Sequence, residues 1–156
     1  MRHIAAFALA TLLLSTAAAD AQTIGTFRWQ LRPYGSVVNI TITQVGSVFE
    51  LQGFETQCGG NLSLPLTGLA VPQNNGTIFL GFTSINENGG GLHTRAYVTL
   101  ANLTGTWADN AGNFNQQFFF NPGVTCPGGP RPGPLSSDAE LAELRARIAK
   151  LEGGTQ

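Results

Sequence analysis

Apolar residues recur at every second position along most of the chain. Phe27, Trp29 and Leu31 alternate with Arg28, Gln30 and Arg32, and Val38, Ile40 and Ile42 alternate with Asn39, Thr41 and Thr43. The period returns at Phe49 and Leu51, at Ile78, Leu80 and Phe82, and at Ala96, Val98 and Leu100. It returns again at Leu103 and Trp107 and at Phe114, Phe118 and Phe120, with a weaker run near Leu64–Val71. Gly46-Ser47, Asn74-Asn75-Gly76, Gly89-Gly90-Gly91 and Asp109-Asn110-Ala111-Gly112 separate the runs. A period of two sends one row of side chains to a core and the other to solvent, so each run predicts a strand. Their close spacing predicts an all-β domain over 22–126, with about eight antiparallel strands in a barrel or a sandwich. Gly105, between Leu103 and Trp107, marks a place where the backbone bends or is closely approached.

After that domain the period changes. The run Pro127-Gly128-Gly129-Pro130-Arg131-Pro132-Gly133-Pro134 supports neither helix nor central strand, which makes 127–136 a stiff, extended linker. An amphipathic helix is predicted over 137–152. Ser137 and Glu140 form a capping box, and Glu143 and Arg147 are spaced to pair one turn apart. Acidic residues begin the helix and Arg145, Arg147 and Lys150 end it, as the helix dipole favours. Leu141, Leu144, Ile148 and Leu151 step by three and four, the seam of a short coiled coil. An isolated helix of this length is marginal in water, so the seam needs a partner. Self-association into a homo-oligomer is favoured, because a stiff linker holds the helix away from the barrel; docking back and a frayed tail are the alternatives.

Met1–Ala21 stands apart from both. Arg2 and His3 precede the apolar run Ile4–Leu14, and small residues follow up to Ala19-Asp20-Ala21, the arrangement of a secretory signal peptide. The apolar run is too short to span a bilayer, and no membrane span is expected once the signal is removed. A secreted or periplasmic protein meets an oxidising compartment, where Cys58 and Cys126 are expected to form one disulfide.

Charge sharpens this picture. Only 11% of the chain is charged, its net charge is -1, and from Gln22 to Pro130 there is no lysine. Such a surface cannot replace the counterions of nucleic acid, nor dock electrostatically on an anionic membrane. Lysine is the usual blocker of exposed strand edges, so its absence favours closure into a barrel over an open sandwich.

Few groups remain for chemistry. His93, Arg95 and Tyr97 alternate along one strand and share a face; pointing into a barrel, they could orient an anionic or polar ligand, with Trp29 and Trp107 available for stacking. Pointing outwards, they are ordinary solvated residues, the reading favoured because Ala96, Val98 and Leu100 form the better core face. His93 is the only histidine after the signal peptide, so no metal site and no cofactor are expected. A catalytic triad with His93 and Asp109 lacks a nucleophile-elbow sequence, and no spacing among Glu50, Glu55, Glu87 and Asp109 singles out a glycosidase pair.

Three stretches carry a resemblance: Gly25-Thr26-Phe27-Arg28-Trp29-Gln30-Leu31-Arg32-Pro33-Tyr34, Thr56-Gln57-Cys58-Gly59, and Leu103-Thr104-Gly105-Thr106-Trp107-Ala108-Asp109-Asn110-Ala111-Gly112-Asn113. Over roughly residues 24–120 the chain resembles a group of uncharacterised exported bacterial proteins. These carry one small β domain, often ahead of a coiled-coil or tail-fibre-like C-terminus. Members of that group often carry a cysteine just after the equivalent of Tyr34. Gly35 stands there in this chain, which implies that Cys58 pairs with Cys126 or stays unpaired. Gly105-Thr106-Trp107 also resembles the Gly-x-Trp of lipocalins and avidins, an analogy of shape. The expectation is an exported, non-catalytic structural or interaction module oligomerised by its helix. The alternative is a small-molecule-binding barrel, with a small molecule or surface ligand as partner.

Overall fold

The computed structural model describes residues 21–60, 62–126 and 137–153. The expected signal peptide, apart from Ala21, and the expected linker lie outside the described residues. The strands are β1 (Gln22–Leu31), β2 (Ser36–Val45), β3 (Val48–Gln57), β4 (Leu62–Gln73), β5 (Thr77–Ile85), β6 (Gly91–Thr99), β7 (Gly105–Asp109) and β8 (Gln116–Phe120), followed by the helix α1 (Asp138–Gly153). Each strand pairs antiparallel with the next and β8 pairs with β1, so the sheet is a closed up-and-down barrel of eight strands. Closure leaves no continuous open edge, which a sheet without lysine needs.

The period-two residues face inwards as expected. Phe27, Trp29, Val38, Ile40, Phe49 and Leu51 have almost no exposed surface and belong to one core. Three inward positions are glycines: a Cβ would overlap the carbonyl oxygen of Asn39 at Gly53, of Gly81 at Gly68, and of Tyr97 at Gly105. Neighbouring backbones come this close where a twisted sheet bends to close, and only a missing side chain permits it. The last strands are shorter than their sequence pattern. Asn102 Oδ1 accepts from Thr104 N at 2.9 Å and Thr99 Oγ1 at 2.6 Å, which turns the chain before β7 and leaves Leu103 in a loop, still buried. Asp109 likewise gathers the amides of Ala111 and Asn113, so β8 starts only at Gln116 and Phe114 is exposed.

The Cys58–Cys126 disulfide is formed. It ties the end of β3 to the segment after β8, whose Pro122 carbonyl accepts from Arg28 Nη1 at 3.0 Å. Burial beneath this segment lowers the pKa of Arg28. Cross-linking residues 68 apart stabilises the folded state by about 4 kcal/mol in the chain-entropy model.

The helix forms with its capping box, Glu140 accepting from Ser137 N at 2.6 Å, and with the Arg147–Glu143 ion pair at 2.6 Å. Its seam corrects the expected occupant. Leu144 and Ile148 are buried in the barrel's own core cluster, and Leu141 and Leu151 pack against it. The stripe expected to meet a second helix is covered by the barrel. Arg145 donates to the carbonyls of Leu100 at 2.8 Å and Ala101 at 2.5 Å, and Arg147 to Gln44 Oε1 at 2.8 Å. These cations therefore anchor the helix across the barrel end where β2, β4 and β6 finish. Truncating Leu144 or Ile148 to alanine should cost about 2–4 kcal/mol in urea denaturation, as for buried aliphatic residues. A stripe exposed to water would lose less than about 0.5 kcal/mol.

Candidate functional site

The inner wall changes character along the barrel axis. Near α1 it is apolar throughout. At the opposite end the same inward rows finish in Ser36, Glu55, Ser84, Thr94 and Asp109, the first four of them buried. Glu55 follows Phe49 and Leu51 in phase on β3, and Ser84 follows Leu80 and Phe82 on β5. Sequence reasoning missed Ser36, Ser84 and Thr94, and named Glu55 and Asp109 without bringing them to one place. Carrying each apolar period one or two positions further would have found them.

Ser84 Oγ donates to Glu55 Oε2 at 2.6 Å. Only 2% of Glu55 is exposed, and loss of water raises its pKa above the ordinary carboxylate value. The Ser84 hydrogen bond opposes this shift and the negative charge of Asp109 adds to it. Thr94, opposite Asp109 in the β6–β7 ladder, keeps a buried hydroxyl with no hydrogen-bond partner among the described residues.

A cavity of about 310 Å³ opens at this end, lined by Leu31, Tyr34, Glu55, Gly59, Trp107 and Asp109 among others. Its rim is tied together. Tyr34 Oη donates to Asn113 Oδ1 at 2.6 Å, and Asn113 Nδ2 donates to Asp109 Oδ2 at 2.6 Å, linking the β1–β2 turn to the β7–β8 turn. The Tyr34 ring meets Trp107 edge-on at 6.1 Å. The disulfide at Cys58 holds the β3–β4 side of the mouth. A larger open groove of about 860 Å³ runs between α1 and the strand ends it covers, but Ser36, Glu55, Ser84 and Thr94 do not line it.

The five residues weighed as ligand contacts are not brought together. His93, Arg95 and Tyr97 face outwards, alternating with the buried Thr94, Ala96 and Val98. Trp29 and Trp107 face inwards, and each indole N–H is already engaged, with Leu103 O at 2.8 Å and Arg32 O at 3.2 Å. Of the five, only Trp107 borders the mouth. Catalytic arrangements fare no better. His93 Nδ1 shares a hydrogen bond with Thr83 Oγ1 on the outer face, while Asp109 faces inwards and is committed to its turn. Of the four carboxylates weighed as a pair, Glu55 and Asp109 meet at the mouth; Glu50 and Glu87 are exposed elsewhere. Among the described residues no group of three or more His, Cys, Asp or Glu could hold a metal ion, and no helix is long and apolar enough to cross a membrane.

Comparison with family models, with curated proteins and with solved structures finds no match.

The Glu55 shift fixes a sign. Its folded form binds a proton more tightly than the unfolded chain does, so stability falls as pH rises from the ordinary carboxylate range through the Glu55 pKa. Glu55→Gln keeps an oxygen for Ser84 and removes the buried charge. Thermal denaturation across pH 4 to 8 should show the variant more stable at neutral pH and equal to the parent near pH 4. Each tenfold difference in proton affinity corresponds to about 1.4 kcal/mol.

Proposed function

We propose that the protein is a secreted or periplasmic, non-catalytic barrel that binds a small molecule in the end opposite α1. What supports this is the polarity of that end. Buried polar groups cost about 1–3 kcal/mol each when unsatisfied, and a purely structural barrel has no reason to collect them at the end away from its helix. A ligand rich in N–H or O–H groups adds donors to the buried Glu55 carboxylate, which otherwise accepts from Ser84. The cavity, about 310 Å³, suits a compact molecule of that kind. The disulfide fits an oxidising compartment. Membership of the exported β-domain group belongs to the same proposal and rests on the three sequence stretches alone. Oligomerisation through the helix would require Leu144 and Ile148 to leave the core they now complete, exposing apolar surface on both sides.

Small amines, amides and monosaccharides titrated into isotope-labelled protein should include binders that move the amide signals of Gly59, Leu92 and Asn113 and the Trp107 indole. Leu92→Trp, which fills the mouth, should abolish those shifts. No binder up to about 10 mM, the weak end for molecules of this size, or shifts that survive the blocking variant, would contradict the proposal.

A further inference from the structure

The outer wall of β4–β7 carries a second feature, which shares only Asp109 with the mouth. Three rows cross it in register. Val71, Phe79, Tyr97 and Thr106 form the row nearer α1; Leu69, Gly81, Arg95 and Ala108 form the next; Thr67, Thr83 and His93 form the third. Arg95 is thus flanked by a glycine and an alanine, which leaves an open notch of about 440 Å³ in the convex wall. A Cβ at Gly81 would stand 3.1 Å from the Phe79 ring, so that ring forms the near side of the notch. Phe79 is paired with Tyr97 at 5.1 Å, and Tyr97 is 51% exposed. On the far side His93 is fixed twice, its ring by Thr83 Oγ1 at 2.8 Å and its backbone N–H by Asn110 Oδ1 at 2.9 Å.

Arg95 makes no hydrogen bond and no ion pair among the described residues. Asp109 also borders the notch, but its carboxylate faces inwards and accepts from Ala111 and Asn113, so the exposed guanidinium of Arg95 is left to select an anion. Its planar fork matches a carboxylate better than a spherical ion does. The flanking chemistry narrows the class further. An aromatic pair offers an apolar platform to the face of a ring, and Thr67, Thr83 and His93 offer hydrogen bonds to hydroxyl groups. The notch is open along the wall, and exposed Leu69 and Val71 continue beside it, so a chain lying across it buries more than an isolated molecule would. We propose that this notch binds an acidic polysaccharide, with Arg95 on a uronate carboxylate and the Phe79–Tyr97 pair beneath a sugar ring.

The test is titration of the full chain with a defined oligogalacturonate and with a neutral oligosaccharide of the same length, followed by amide shifts and calorimetry. The acidic oligomer should move Thr83, His93, Arg95 and Ala108 while leaving Gly59 and Asn113 unmoved. It should also bind at least about tenfold more tightly than the neutral one, a preference that weakens with added salt. Arg95→Gln should lower affinity about tenfold or more, and Arg95→Lys, which keeps the charge without the fork, by less. Absence of binding, equal binding of the neutral oligomer, unchanged affinity in Arg95→Gln, or shifts at the mouth would each overturn the proposal. None of these outcomes depends on whether the mouth takes a ligand.

Discussion

The barrel stands or falls on the pairing of β1 with β8, and that pairing is short. β1 has ten residues and β8 five, with Trp29, Gln30 and Leu31 opposite Phe120, Phe119 and Phe118. Backbone bonds from Arg32 N to Gln117 O at 3.0 Å and from Asn121 N to Arg28 O at 3.1 Å extend it at both ends. Side chains concentrate where the backbone bonds are few. Trp29 stacks on Phe118 at 5.4 Å and meets Phe120 edge-on at 5.7 Å, and Arg32 lies over the Phe119 ring at 4.4 Å. The first half of β1 has no β8 partner, and α1 packs there, with Glu140 close against Gly25. The helix is therefore part of the closure, as the segment after β8 is through Arg28 and the disulfide.

An unequal closure makes unequal ends. One end is covered by α1 and lined by apolar residues, so the core continues unbroken into the helix through Leu144 and Ile148. Among the described residues no helix covers the other end, and there the inward rows turn polar and the mouth opens. Glu55 is the sharpest expression of this division: a carboxyl almost without exposure, held by Ser84 and facing the charge of Asp109. An arrangement of this kind weakens the fold at neutral pH, which natural proteins commonly accept at sites of function.

Much of this was legible before the fold was known. Period-two rows mark the inner wall, Gly105 marks a close approach, and Ser137 with Glu140 marks the helix start, because each reflects chemistry within a few residues. The run near Leu64–Val71 read weakly, since Pro65, Gly68 and Pro72 blur its period, yet β4 is the longest strand at 12 residues. The partner of the helix stayed hidden. The helix seam has the same spacing whether it meets another helix or a barrel, and what decides is Arg145 reaching Leu100 and Arg147 reaching Gln44, contacts far apart in sequence. The outward direction of His93, Arg95 and Tyr97, by contrast, was legible, because Ala96 and Val98 form the better core face of that strand.

The measurement that bears most directly on this account is the nuclear Overhauser contact between the Leu144 and Ile148 methyl groups and the barrel interior, recorded on uniformly labelled protein and on a mixture of labelled and unlabelled chains. The account predicts contacts to core residues within one chain and none between chains. Contacts seen only in the mixed sample, or none from these methyls to the core, would contradict it.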